Sequence, residues 1–242
     1  MAASPIEQFE IKPIASRFEL AGLDLSFTNS ALWMAISVVV SVGLLLVAIK
    51  NRSLIPGRGQ FVAESLYKTI LTMVLENVGK EGLRYFPFIF SLFIFVLFGN
   101  VLGMIPGSFT FTSHLVVTFA MAAFIFVAVT IIGLVRHGGK FFSLFFPHGA
   151  PLWTAVILIP IELVSYLSRP VSLGVRLFAN MTVGHVLLKV MAGFVIALGV
   201  GGVLPLAGLV AITALEFMVA VIQAYVFAIL TCIYLHDAIH LH

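Results

Sequence analysis

Arg176, Asn180 and His185 stand close together in PVSLGVRLFANMTVGHVLL (170–188), a stretch otherwise apolar enough for the interior of a bilayer. Further on, Glu216 and Gln223 lie seven apart on one face of a second apolar stretch, with Thr213 nearby. Arginine stays charged even when desolvated, which lysine does not. A histidine titrates near neutrality, and burial pushes a carboxyl upward into the same range. The residue types therefore combine one permanent cation with a pair able to exchange protons.

At 100° per residue, Glu162, Arg169, Ser172, Arg176 and Asn180 all fall within about 40° of the Arg176 direction, a polar stripe on one helix face. His185 points about 180° away and lies about 13 Å further along the axis, so the arginine and the histidine face different neighbours. An arginine at mid-membrane costs roughly 2.5–3.5 kcal/mol on insertion scales and should face protein or water. One reading is an ion pair locking two helices, Arg176 with Glu216 or Glu162. The other is a functional cation beside a His185/Glu216 proton relay. Asn180 and Gln223 would order water or hold Arg176, or serve as ordinary interhelical hydrogen-bond formers. Lys189 suits a snorkelling role and Glu162 a solvated entrance group. The terminal HDAIHLH puts His236 and His240 at i,i+4 with His242 beyond, a spacing that can bind zinc, but it lacks the acid of HExxH. HGGK at 137–140 has no phosphate-loop context, and no serine or cysteine sits in a nucleophile motif. No metal or cofactor is assigned.

These groups need apolar elements to hold them. The 242 residues are 61% hydrophobic and 10% charged, with a mean hydropathy of +1.17, which predicts an integral membrane protein of one domain. A net charge of +3 does not imply nucleic acid, because the basic residues are not clustered with stacking aromatics. Cys232 lies in an apolar run and reads as a small core residue. Acids at Glu7, Glu10, Glu19 and Asp24 precede the first apolar run, unlike the basic start of a secretory signal, so residues 1–30 read as a retained external segment.

Five hydrophobic blocks follow: 31–49, 86–105, 115–135, 151–197 and 203–236. The second and third form a helical hairpin (86–135). Lys50, Arg52, Arg58, Lys68, Lys80 and Arg84 mark the first connection and Arg136 and Lys140 the third, while the other two connections carry neither residue type. By the positive-inside rule the basic connections are cytoplasmic, which puts the N-terminus outside and, after five passes, the C-terminus inside. Within the cytoplasmic loop 50–85, residues 60–84 carry Glu64/Lys68 and Glu76/Lys80 at i,i+4, as expected of an amphipathic helix on the membrane surface. The fourth block would make a helix of about 70 Å against a hydrocarbon core of about 30 Å. Either Arg169 and Pro170 break it into two spans, giving six passes, or it lies strongly tilted. No internal repeat is evident.

RPVSLGVRLFANMTVGH followed by EFMVAVIQAYVFAILTCIYL resembles the two signature helices of subunit a of the F-type ATP synthase, and GNVLGMIPGSFTFTSHLVVTFA resembles its earlier hairpin. The resemblance covers most of residues 31–238. It implies an all-α polytopic fold of five passes plus a surface amphipathic helix, the last two helices (151–197 and 203–238) forming a long tilted hairpin around a ring of c subunits. It implies that Arg176 faces the ring's proton-carrying carboxylate between two half-channels that do not meet. Asn180, His185, Glu216 and Gln223 match positions of the outer half-channel and the arginine's surroundings; Glu162 matches an acid near the inner one, and Ser172 joins this set. Many bacterial members carry an acid at the His185 position and a histidine at that of Glu216; the arrangement here is similar to mitochondrial and alphaproteobacterial members. Ala179 stands where LFGN often has glycine.

The resemblance further implies a non-catalytic proton-channel subunit in an energy-transducing membrane, most simply a bacterial inner membrane, with peripheral-stalk b-type subunits and the remaining synthase subunits as partners. Two rival readings are a self-contained secondary transporter, with Arg176 binding an anion, and an intramembrane metalloenzyme built on the histidine tail.

Overall fold

The computed structural model describes residues 9–14, 19–20, 23–24, 26–50, 53–105, 107–145 and 154–240. Glu7, Arg52, Pro106, residues 151–153 and His242, which enter the reading above, lie outside them. Two short antiparallel strands, β1 (Glu19–Leu20) and β2 (Leu23–Asp24), precede six helices: α1 (Asn29–Lys50), α2 (Arg58–Asn77), α3 (Phe86–Gly103), α4 (Leu115–His137), α5 (Ala155–Ala197) and α6 (Val203–Ile239). All but α2 belong to segments long and apolar enough to cross a membrane. The protein is an all-α polytopic membrane protein.

Side-chain placement follows lipid rather than water as the solvent. In α1 the buried residues are Ser30, Ser37 and Ser41, whereas Val39 and Val47 are 70% and 72% exposed. The Ser37 and Ser41 hydroxyls donate to the Trp33 and Val38 carbonyls, each at 2.9 Å, so each polar group is satisfied within its own helix. Hydrocarbon does not drive leucine or valine off the outer surface, and small residues let backbones approach. The same rule shapes α6. Ala220, Ala224 and Ala228 are fully buried at four-residue spacing, and Glu216 heads their row. α3 packs on α6, where Asn100 Nδ2 donates to the Ala220 carbonyl at 3.2 Å.

The fourth block is one helix. α5 runs through both Pro160 and Pro170 without a break, so the six-pass alternative is not realised. A proline inside a helix removes one backbone donor, a loss that neighbouring helices and local adjustment absorb in a membrane protein. At about 65 Å, α5 exceeds the hydrocarbon thickness about twofold, and only strong tilt keeps most of it there. A 3₁₀ turn over Gly199–Gly202 returns the chain into α6, making the long hairpin.

The amphipathic helix is shorter than the 60–84 expected. α2 ends at Asn77, Gly79 takes φ 84°, and Lys80–Tyr85 form a separate 3₁₀ segment. The break separates Glu76 from Lys80, and Glu64 accepts a hydrogen bond from Gln60 Nε2 at 2.7 Å rather than pairing with Lys68. Ile70, Met73 and Val74 bury the inner face of α2 against the bundle.

Side-chain contacts tie the helix ends into two sets. Arg136, at the end of α4, pairs with Glu81, and His137 Nε2 lies 2.9 Å from the Ile239 carbonyl at the end of α6. These contacts place both basic connections and the end of α6 on one side of the bundle. On the other, the Phe9 ring meets His114 and His185 edge-on, each at 6.4 Å between centroids.

A close approach of α4 and α5 depends on Gly174. A Cβ there would lie 3.0 Å from Phe119 Cα and 3.2 Å from the Thr118 carbonyl oxygen, and backbone cannot swing aside as a side chain can. Gly174→Val should therefore destabilise the detergent-solubilised protein by about 1–3 kcal/mol in a denaturation titration. Gly193→Ala, in the same helix with nothing within 4 Å of the added methyl, should be neutral or slightly stabilising. Equal behaviour of the two variants would refute the close crossing.

Candidate functional site

The hairpin register brings the polar groups of α5 and α6 together in pairs. Counting outward from the turn, His185 meets Glu216, Asn180 meets Gln223, and Arg169 meets Asp237. His185 Nδ1 lies 3.8 Å from Glu216 Oε1, and its Nε2 lies 3.0 Å from the Thr110 hydroxyl. One imidazole thus touches a carboxyl with one nitrogen and a hydroxyl with the other. Glu216 is buried, and neither of its oxygens has a hydrogen-bond partner among the described residues. Asn180 Nδ2 donates to Gln223 Oε1 at 2.8 Å, leaving Gln223 Nε2 buried without a partner among the described residues.

Arg176, at the midpoint of α5, does none of this. It is exposed and forms no hydrogen bond or ion pair with any described residue. The register explains why: Glu216 lies opposite His185, more than two turns from Arg176 along the axis, and Asn180 is taken by Gln223. The ion-pair reading of Arg176 with Glu216 or Glu162 is therefore not realised. Ser172 is exposed on the same face, and Glu162 is partly exposed one helical segment away.

The cation that is locked is Arg169. Its guanidinium meets Asp237 Oδ2 at 2.9 Å and lies 5.3 Å from the ring centroids of both Tyr166 and Tyr234. Tyr166 in turn shares a 2.7 Å hydrogen bond with Thr130 on α4. This cluster joins three helices and disposes of the one carboxylate at the far end of α6. Sequence reading placed Arg169 on the polar stripe but missed Asp237, which is an unremarkable acid in a histidine-rich tail. Folding the two blocks about Gly199–Gly202 would have paired them.

A cavity of about 390 Å³ opens beside His185, lined also by Thr110, Lys189, Thr213 and Phe9. His114, in the connection before α4, stacks on Phe109 at 5.0 Å, and burial holds its pKa below the usual histidine range. A second cavity of about 260 Å³ lies in the α5–α6 seam, where Asn180, Gly184 and Glu216 contribute to its wall. Thr110 escaped sequence reading because it reaches the site from a connection 75 residues before His185. At the chain's end His236 and His240 stack at 4.6 Å, and the described residues hold no group of three metal-ligating side chains.

The fold and site define a polytopic membrane protein that carries charged and titratable groups inside and along its longest hairpin. Comparison with known proteins is specific. The family model for the ATP synthase A chain matches residues 31–236. ATP synthase subunit a of Rhodospirillum rubrum is 62% identical over 240 residues, covering 99% of both chains. That of Paramagnetospirillum magneticum is 58% identical over 247 residues, covering 99% of this chain and all of its own, and that of Parvibaculum lavamentivorans is 50% identical over 244. The chain belongs to the ATP synthase A chain family, subunit a of the F-type enzyme.

If Arg169 and Asp237 act as a unit, Asp237→Asn and Arg169→Gln should each cost about 1–2 kcal/mol of stability, with the double variant no worse than the larger single loss. Denaturation of the purified chain measures this. Strictly additive losses would show that the two residues act independently.

Proposed function

We propose that the chain is the proton-translocating stator of a rotary synthase, supplying two offset half-channels to a ring of c subunits, with Arg176 between them. The observation that carries this reading is the exposed guanidinium at the middle of a membrane-length helix, which forms no hydrogen bond or ion pair with any described residue. An arginine facing hydrocarbon there is unfavourable by roughly 2.5–3.5 kcal/mol or more, so its counter-charge belongs on another chain. A ring carboxylate has the charge and the location required.

Protons enter from the outside through the cavity beside His185, pass between His185 and Glu216, and neutralise a ring carboxylate. The neutral group then turns into lipid, which a charged one could not enter. After nearly a full turn it releases its proton to the inner half-channel near Glu162 and Ser172. The bare carboxylate next meets Arg176, whose fixed charge favours ionisation and blocks direct passage between the two paths. Attraction at 4 Å is about 4 kcal/mol at an effective dielectric of 20, enough to bias ionisation. One charge crossing 100 mV supplies about 2.3 kcal/mol, so several protons serve each ATP. The chain forms no ATP itself, and the titratable His185/Glu216 pair favours protons as the coupling ion.

The basic connections and the end of α6 lie together, which supports a cytoplasmic C-terminus and an external N-terminus in a bacterial inner membrane. Peripheral-stalk b-type subunits complete the stator. The secondary transporter is the weaker reading: transporter sites are typically enclosed at broken helices, whereas α5 is continuous and Arg176 is exposed on its outer face.

The test is ATP-driven acidification of inverted vesicles containing the assembled complex. Arg176→Lys and Arg176→Ala should both reduce it to background, because lysine keeps a charge but neither the planar fork nor the fixed protonation. Normal pumping by Arg176→Lys would refute the barrier. For the relay, His185→Ala and Glu216→Ala should each slow pumping, and His185→Glu with Glu216→His should restore part of it. Additive losses without rescue would refute the relay.

A further inference from the structure

Phe9 stands near the start of the chain, yet its ring meets the imidazoles of both His114 and His185 edge-on, at interplanar angles of 83° and 75°. Pairing with the root of α1 holds it there. Lys12 N–H donates to Asn29 Oδ1 at 3.1 Å, Asn29 N–H donates to the Lys12 carbonyl at 3.0 Å, and Asn29 Nδ2 donates to the Glu10 carbonyl at 3.0 Å. Ile14 N–H adds a bond to the Phe27 carbonyl at 2.9 Å. Asn29 is the first residue of α1, so residues 9–14 are fastened to a membrane helix. Within them Glu10 to Ile14 are exposed, and Phe9 alone is partly buried, in the wall of the outer cavity of about 390 Å³.

The rest of that wall is suited to protons rather than to ions. Ser108, Thr110, Thr213 and His185 offer hydroxyls and an imidazole, groups that pass a proton along hydrogen bonds. Lys189, one turn beyond His185 on α5, carries the one fixed charge among the described lining residues, none of which is an acid. Its ammonium forms no ion pair with any described residue. Paths that conduct metal cations are lined by carbonyl or carboxylate oxygens, and basic side chains favour anions. A proton meets the same repulsion from Lys189, but it gains a bond to the His185 nitrogen. A metal ion shedding its hydration shell finds no acid there to replace the lost water.

We propose that Lys189 and Phe9 make the outer cavity a filter, Lys189 by charge and Phe9 by size, which keeps hydrated metal cations away from His185 while protons reach it. This goes beyond the reading of the cavity as the proton entry and rests on it. The two residues act differently: the ammonium discriminates by sign, whereas the ring narrows the way for every solute larger than a proton.

The experiment labels a cysteine in the cavity from outside. The assembled complex, in right-side-out vesicles, carries Thr213→Cys in a Cys232→Ser background, with assembly followed by subunit content. Two membrane-impermeant thiosulfonates of similar size are compared, one bearing a trimethylammonium group and one a sulfonate, each rate being divided by that with a small thiol in solution. The ratio of the two rates cancels any change in the acidity of the thiol. With Lys189 present the sulfonate should react at least about 10-fold faster, and Lys189→Gln should shift the ratio by about 10-fold toward the cation. Phe9→Ala should speed both reagents by the same factor, about 10-fold, and leave the ratio alone. An unchanged ratio in Lys189→Gln, or unchanged rates in Phe9→Ala, overturns the filter. If the Thr213→Cys complex does not assemble, Ala192→Cys, in the same cavity wall, decides by the same criteria. His185→Ala separates this from the underlying reading: normal ATP-driven pumping by that variant would remove the proton entry itself, whatever the labelling shows. Slowed pumping by His185→Ala together with an unchanged ratio in Lys189→Gln overturns the filter alone.

Discussion

A guanidinium that cannot lose its charge, placed midway along a helix in an apolar medium, constrains everything around it. Its solvation has to come from protein, water or a charge on another molecule. Among the described residues, the polar groups of α6 that could face it are committed elsewhere. Asp237 holds Arg169 between two tyrosines, Glu216 is buried against Gly184 beside His185, and Gln223 accepts from Asn180. The pairs flank Arg176 along the hairpin, and among the described residues it forms no hydrogen bond or ion pair of its own.

Keeping an acid away from a cation takes rigid spacing, and the hairpin provides it. In an antiparallel pair joined by a four-residue turn, each position on α5 has a set opposite number on α6. Shifting the register by one helical turn would bring Glu216 toward Leu188 and away from His185. Arg169 with Asp237 pins the far end of the pair, and the Tyr166 to Thr130 contact fastens that end to α4. Such partly buried ion pairs are poor sources of stability but good markers of register. Their value here lies in specificity rather than in net free energy.

Much of this was legible in the sequence. The apolar blocks, the polar stripe through Arg176 and the opposite direction of His185 follow from composition and a 100° step, and the helices carry them as expected. What periodicity leaves open is how two elements meet. The choice between a broken and a continuous fourth block turned on Pro170, whose effect depends on neighbours that a single stretch does not contain. The end of α2 at Asn77 was hidden by i,i+4 charges that suggest a helix continuing to Lys80, whereas Gly79 takes a conformation that stops it. Thr110 and Asp237 are invisible to local pattern because their roles exist only across the interfaces.

The polar path is shaped as much by missing side chains as by those present. Glu216 heads the row formed by Ala220, Ala224 and Ala228, the small-residue face on which α3 packs, so the close approach that joins these helices also buries the carboxyl. Across the seam, Gly184 makes room for the same group, and Gly174 brings α4 within backbone contact of α5 below it. A larger residue on either side of Glu216 would widen the seam and admit lipid or water along its length. In hydrocarbon, where apolar burial gives helices little reason to associate, such close packing is what holds two titratable groups 3.8 Å apart, the carboxyl buried and the imidazole only partly exposed.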